Sequence, residues 1–200
     1  MIARMAAIAP LLLITAGCGV MGKADAPVTL RLAPVFGAAT AHDRRSVSVA
    51  PADAAPTAAR TRYAYVDPAR PGEVNQARTL FWEEPPPRAL GRALVSALRA
   101  RFASASGAEV AIPADLRVLP MLNRFEEVSG NPGRAVVAFE ATVIEQGKVA
   151  HAGSWCASAP FAGNSPSARA QAFEAALASA TGAFVQDLAA GTAPSAAGPC

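Results

Sequence analysis

The side chains that could carry catalysis or hold a metal are two histidines, three cysteines and two pairs of acidic residues. His42 and His151 are far apart, and neither has a cysteine or carboxylate at the spacing of metal ligands. His151 and Cys156 are five residues apart in a predicted strand, so we expect them on opposite faces. The pairs 83–84 and 126–127 are predicted to be charged caps and loop residues. The chain also lacks nucleophile-elbow and phosphate-loop motifs, so we predict a non-enzyme with no catalytic residue, metal site or cofactor.

The third cysteine, Cys18, stands where its thiol could be modified. Arg4 precedes about ten largely apolar residues, a stretch that is too short to span a bilayer and is typical of an export signal. The small residues Ala16 and Gly17 directly before the cysteine resemble the lipobox of bacterial lipoproteins. This resemblance implies that residues 1–17 are a lipoprotein signal peptide. It also implies that the cysteine carries a diacylglycerol and an amide-linked acyl chain such as palmitate.

The lipoprotein resemblance also predicts a location. One myristoyl-sized chain holds a protein only reversibly, whereas two or three chains give durable attachment. Gly19, in place of the aspartate that favours inner-membrane retention, implies transfer to the outer membrane, facing the periplasm. Residues 18–27 would then form the tether. The alternatives are an ordinary signal peptide with a chance cysteine, and a cytosolic protein with an apolar N-terminus.

Charge and cysteine content restrict the partners. The formal net charge of +3 falls to +2 when Arg4 is removed with the signal peptide, and lysines and arginines are scattered, so we expect no nucleic-acid partner. With Cys18 lipidated, Cys156 and Cys200 remain. An even pair in an oxidising compartment predicts a disulfide, which would hold the tail 191–200 against the domain. Two unpaired thiols are the alternative.

Residue patterning predicts one domain over residues 28–190. A stripe through Leu90, Leu94, Leu98 and Phe102 predicts a helix that starts in the prolines at 85–87 and ends at 106–107. A second helix is expected to begin at Ser165-Pro166 and to end at Gly191. The predicted strands are 28–32, 46–49, 61–66, 116–128, 134–144 and 149–157, with at least one short strand within 73–82. Residues 52–59 are predicted as a surface loop, and 109–112 as a candidate for a brief strand.

These elements predict an α+β, two-layer domain. Strands that follow one another through short turns favour a mainly antiparallel sheet, and Pro120 is expected at a bulge or an edge position. Each of the two amphipathic helices has a single apolar stripe, so both are expected on one face of the sheet.

Two features near the first helix are candidates for partner contacts. Trp82 lies at a strand-to-helix corner, where it is either a core side chain that covers the helix start or an exposed anchor for a protein partner. Arg88, Arg92 and Arg99 lie opposite the leucine stripe, where they form a solvated face or contact anionic partners or lipid head groups. We keep Trp82, Arg88 and Arg92 as candidate contacts.

Several segments together resemble the ABC-type transport auxiliary lipoprotein family. They are the early strand behind the lipobox, Tyr63-Ala64-Tyr65, Trp82-Glu83-Glu84-Pro85 with the helix that follows, the strand that ends near Phe125-Glu126, and the strands 134–157 followed by an alanine-rich helix. The resemblance covers most of residues 28–190. Residues 36–60 are richer in alanine and proline than is usual in that family.

The resemblance implies a docking and tethering component of an MCE-type ABC transport system, which moves lipids or other apolar molecules between the inner and outer membranes. Its expected partners are an MCE-domain periplasmic protein and the ABC transporter subunits, with a ring of copies as one arrangement. One alternative is an envelope assembly lipoprotein that partners an outer-membrane barrel or a secretin. The other is a periplasmic lipid carrier that holds its ligand between sheet and helices.

Overall fold

The computed structural model describes residues 26–33, 43–110, 113–191 and 200, which form one nine-stranded sheet and two helices. The elements are β1 (Val28–Leu30), β2 (Asp43–Val49), β3 (Asp53–Ala54), β4 (Arg62–Val66), β5 (Val74–Trp82), α1 (Pro86–Arg99), β6 (Phe102–Ser106), β7 (Leu116–Val128), β8 (Arg134–Glu145), β9 (Lys148–Pro160) and α2 (Pro166–Ala190).

β7 is the central strand of the sheet. One of its edges pairs with β8 in antiparallel register along the whole strand, and β8 pairs in the same sense with β9. Its other edge carries three short parallel strands in succession, β2, β3 and β4. β6 lies in parallel outside β2, and β5 and β1 continue outward from β4. The predicted, mainly antiparallel sheet is confirmed for the long strands, and the parallel pairs are all short.

Pro120 is neither at the edge of the sheet nor at the register shift of β7, which corrects the prediction. It lies between the residues that pair with β2 and those that pair with β3. On that edge, the carbonyls of Val118 and Leu122 accept hydrogen bonds from Ala50 and Ala55, both at 2.9 Å. Alternate residues point to the same edge, so the missing N–H of Pro120 falls in the gap between two short strands.

α1 is shorter than the apolar stripe predicts. It ends at Arg99, with Ala100 as its C-cap, and Phe102 begins β6 instead of extending the helix. Phe102 is 1% exposed, so its burial is as predicted although its backbone is not. An apolar residue at helical spacing cannot show whether a helix or a strand buries it. Here the strand forms because β2, far away in sequence, offers a free edge.

The predictions for two short segments are also corrected. Residues 52–59, expected as a surface loop, include β3 and the buried Ala58. Glu109 and Val110 lie in a turn rather than in a strand, and residues 111–112 are outside the described residues.

α2 begins and ends where its capping residues predict. The Ser165 hydroxyl accepts the N–H of Ala168 at 3.1 Å, and Pro166 occupies the first turn. Gly191 adopts φ 63°, the left-handed conformation that glycine allows at a helix C-terminus. Phe173, Leu177 and Phe184, from the predicted stripe, are fully buried.

Both helices cover one face of the sheet, which confirms the α+β two-layer fold. Leu90, Leu94 and Leu98 of α1 are 0% exposed. They belong to the same core cluster as alternate residues of β8, a strand that packs against α2. Those residues are all 2% exposed or less: Val137, Phe139, Ala141 and Val143. Neither helix in the described part of the chain has the length and apolar character needed to cross a membrane.

Candidate partner-binding groove

An open groove of about 720 Å³ runs along the side of α1 that faces away from the core. α1 forms one wall. The opposite wall consists of the loops 49–52 and 107–110, which follow β2 and β6. The helix residues that line the groove include Arg88, Gly91, Arg92, Val95 and Arg99. The groove therefore contains both arginines that the sequence marked as candidate contacts.

The groove lies at the carboxyl ends of two parallel strands. β2 and β6 pair with Val47 opposite Ala105, and both end at the groove. α1 comes directly before β6 and packs against both strands. The short parallel pair, which the sequence did not predict, thus creates the groove.

The start of α1 offers the groove no backbone anion site. Pro85 is the N-cap, and Pro86 and Pro87 occupy the first two helical positions. Proline has no N–H to donate. The next N–H, that of Arg88, bonds to the carbonyl of Pro85 at 2.9 Å. Attraction for an anion must therefore come mainly from side chains.

Three arginines give the helix wall its positive charge. Arg92 forms an ion pair with Glu84. The Nε of Arg99 donates to a backbone carbonyl at 2.9 Å, an interaction that leaves its charge uncompensated. The side chain of Arg88 is exposed and has no hydrogen-bond or ion-pair partner among the described residues. Glu109 is the one carboxylate among the lining residues that the structure describes.

Small and apolar groups lie between these charges. A Cβ built on Gly91 would meet no atom within 4 Å, so the packing of the helix does not require glycine there. A glycine inside a helix costs about 0.5–1 kcal/mol relative to alanine. Val95 lines the same wall, and Ala108 and Val110 face it from the loop. Val110 is 48% exposed.

Trp82 is a core residue and not a partner contact. It is 3% exposed. Its ring packs against Tyr63, Phe125 and Phe173, with ring centroids 4.9–5.3 Å apart. Phe125 belongs to β7 and Phe173 to α2, so the indole joins the two layers. The candidate contact at Trp82 is therefore wrong, because a partner cannot reach the ring.

The acidic pair Glu126 and Glu127 lies in β7 rather than in a loop, and both residues are buried. Glu127 accepts a hydrogen bond from the hydroxyl of Tyr63 at 2.8 Å and another from Nε of Arg169 at 3.0 Å. Burial, and after it the charge of Glu127, raises the pKa of Tyr63, so the phenol stays protonated as a donor. Arg169 belongs to α2, and this group therefore attaches the start of α2 to the sheet.

Cys156 and Cys200 lie side by side, with Cα atoms 5.9 Å apart, within the range that a disulfide spans. The carbonyl of Cys200 also accepts a hydrogen bond from Arg134 at 3.5 Å. The end of the chain thus lies against β8 and β9. We propose that the two cysteines are bridged.

His151 does not pair with the thiol of Cys156. Its ring stacks on Trp155, on the core side of β9, with centroids 5.6 Å apart. Its Nε2 is buried without a hydrogen-bond partner in the described part of the chain. Within residues 26–33, 43–110, 113–191 and 200, no three histidine, cysteine or acidic side chains are grouped as metal ligands would be.

Cys18 and His42 lie outside the described residues, so lipidation remains a prediction. For the groove, the sequence supplied Arg88 and Arg92 but not the facing loops or Gly91. The sequence signal that could have identified Gly91 is its position inside a strongly amphipathic helix, which continues through the glycine without a break.

Comparison with known proteins gives a family and a fold. A model of the family described as ABC-type transport auxiliary lipoprotein component matches residues 29–184. A Xanthomonas campestris protein of the family DUF330 is similar in structure at 20% identity and a TM-score of 0.71, over 82% of this chain and 95% of that chain. An uncharacterized protein is similar at 12% identity and a TM-score of 0.59, over 75% of this chain and 99% of that chain. At these identities the likeness concerns the fold alone. No curated protein matches the chain.

Proposed function

The chain belongs to the ABC-type transport auxiliary lipoprotein family, and we propose that it is the lipid-anchored docking component of an MCE-type ABC transport system. Such a system moves lipids or other apolar molecules between the inner and outer membranes. The protein itself makes and breaks no bonds; it holds the assembly in place. The family match over residues 29–184 carries this proposal, because it covers almost the whole two-layer domain.

The anchor at Cys18 places the domain on the periplasmic face of the outer membrane. Two or three acyl chains are needed for durable attachment, and the lipobox supplies the signal for them. The Cys18→Ser variant is expected to be lost from the outer-membrane fraction. If it stays in the outer membrane after a high-salt wash, the anchor is not at this cysteine.

The groove beside α1 supplies the docking surface for the MCE-domain protein. It is open, it carries exposed Arg88, and it lies away from the aromatic core that joins the two layers. Charged groups at such a surface accelerate encounter and set orientation. Reversing the charge with Arg88→Glu is expected to weaken docking, whereas the matched Arg78→Glu, an exposed arginine outside the groove, is expected to leave it unchanged.

Co-purification tests the role directly. The full chain is extracted from envelopes in mild detergent, captured, and its partners are identified by mass spectrometry. We expect an MCE-domain protein together with permease and ATPase subunits, and native mass spectrometry of the same eluate reports whether several copies form a ring. Recovery of barrel-assembly or secretin components in their place would contradict the proposal.

A further inference from the structure

We infer that the groove beside α1 binds an extended acidic segment of the partner, about six residues long, in which acidic residues alternate with small apolar ones. This inference rests on the docking role proposed above and specifies the chemistry of the docked segment.

The length of the groove fits a short extended segment. The groove follows α1 from Pro85 to Arg99, about 21 Å at 1.5 Å per residue. About six residues of extended chain, at 3.3 Å each, span this length.

The arrangement of charge favours a segment with several anionic groups over a single head group. Arg88 and Arg99 are eleven residues apart on one helix, so their Cα atoms are separated by about 16 Å along the axis. Arg92 lies between them, partly neutralised by Glu84. A lipid with one anionic head group can meet one end of this row. Acidic residues spaced along an extended peptide can meet both ends.

The surface between the arginines favours small apolar side chains. Gly91 and Val95 form the helix side, with Ala108 and Val110 opposite. Gly91 leaves open space that a longer side chain would occupy. In an extended segment successive side chains point to opposite sides, so an acidic residue reaches the arginines while its small neighbour enters the groove.

The charge of this chain's own segments argues that the occupant comes from a partner. Among the residues outside the structure, 1–25, 34–42, 111–112 and 192–199, Asp25 is the single acidic residue, and Lys23 lies two positions before it. None of these segments carries two carboxylates to pair with Arg88 and Arg99.

The test uses fluorescence polarisation with the full chain in detergent and a labelled Glu-Ala-Glu-Ala-Glu-Ala peptide. We expect saturable binding that weakens with salt and is absent for a Lys-Ala peptide of equal length. Gly91→Leu should weaken binding at least tenfold, with an unchanged or higher Tm, because leucine fills the groove and favours helix. The matched control is Gly182→Leu, since Gly182 is an equally open glycine within α2. We expect this control to bind within twofold of the natural chain.

A charge test separates electrostatic attraction from shape. The double variant Arg88→Glu, Arg99→Glu should weaken peptide binding about tenfold, whereas Arg78→Glu should not change it more than twofold. Failure to bind the acidic peptide, or equal binding by Gly91→Leu, overturns the inference. A third outcome also overturns it: the protein does not bind the peptide but binds dansyl-undecanoic acid, and Gly91→Leu blocks that binding. The occupant of the groove is then a lipid.

The two proposals fail in different ways. If the peptide binds as expected but no MCE-domain protein co-purifies, the groove chemistry stands and the transport role fails. If the MCE-domain protein co-purifies equally with the Gly91→Leu variant, the transport role stands and the groove is not its docking site.

Discussion

Replacing Cys156 and Cys200 together by serine is expected to lower the free energy of unfolding by about 4 kcal/mol. The two residues are adjacent in the structure, with Cα atoms 5.9 Å apart. A disulfide between them would hold the end of the chain against β9. It would also enclose the whole of α2 in a closed loop.

The magnitude follows from the separation of 44 residues along the chain. A cross-link removes conformational entropy from the unfolded chain, and the loss grows with the logarithm of the loop length. For a loop of this size the chain-entropy model gives about 13 cal/mol/K, or about 4 kcal/mol at 25 °C. Weaker packing in the folded state adds little to the effect, because Cys156 is only half-buried and serine is close to it in size.

Urea unfolding, followed by tryptophan fluorescence, measures this difference. Trp82 and Trp155 are each 3% exposed, so both report loss of the core. Natural protein in reducing buffer serves as the control, since it should match the double variant within about 0.5 kcal/mol. Equal stability of the oxidised natural protein and the double variant would refute the reasoning. The finding of two free thiols by mass spectrometry under non-reducing conditions would refute it as well.

Two further predictions concern charged side chains that hold the fold together. Arg169→Met should cost about 3–5 kcal/mol of unfolding free energy, because it leaves Glu127 buried without its cation. Arg31→Met, which breaks the exposed pair with Glu83, should change stability little; equal losses in the two variants would contradict this. Hydrogen bonds from the backbone N–H and then the hydroxyl of Ser46 lower the pKa of Asp115. The stability that Asp115 contributes to the folded state is therefore fully present above the pKa of the unfolded chain, about 4. It is lost as the pH falls through the lower pKa of the folded state. Tm measured between pH 2 and 6 should fall less steeply for Asp115→Asn than for the natural chain, and parallel curves would exclude this role.

The sequence by itself determined the elements whose beginning, end and buried face are all encoded locally. α2 is an example, because Ser165 caps its first turn, Gly191 ends it and the residues between repeat at helical spacing. The hairpin between β8 and β9 is another: Gln146 and Gly147 take positive φ angles in the short turn between the two predicted strands. The prediction of a lipobox at Cys18 also depends on local sequence alone, since the enzymes that process such a signal act on an extended chain.

The tertiary structure alone decided which partner buries each apolar residue. Phe102 continues the helical spacing of the α1 leucines, yet it lies in β6 and pairs with β2. The ring of Trp82 is enclosed by aromatic rings from β7 and α2. The groove likewise needs two loops that come together only when β6 pairs in parallel with β2. The physical reason is that burial depends on surfaces brought together from distant parts of the chain, whereas periodicity records only that a residue is buried. The arginines of α1 are visible in the sequence, but the groove that they line exists only in the folded domain.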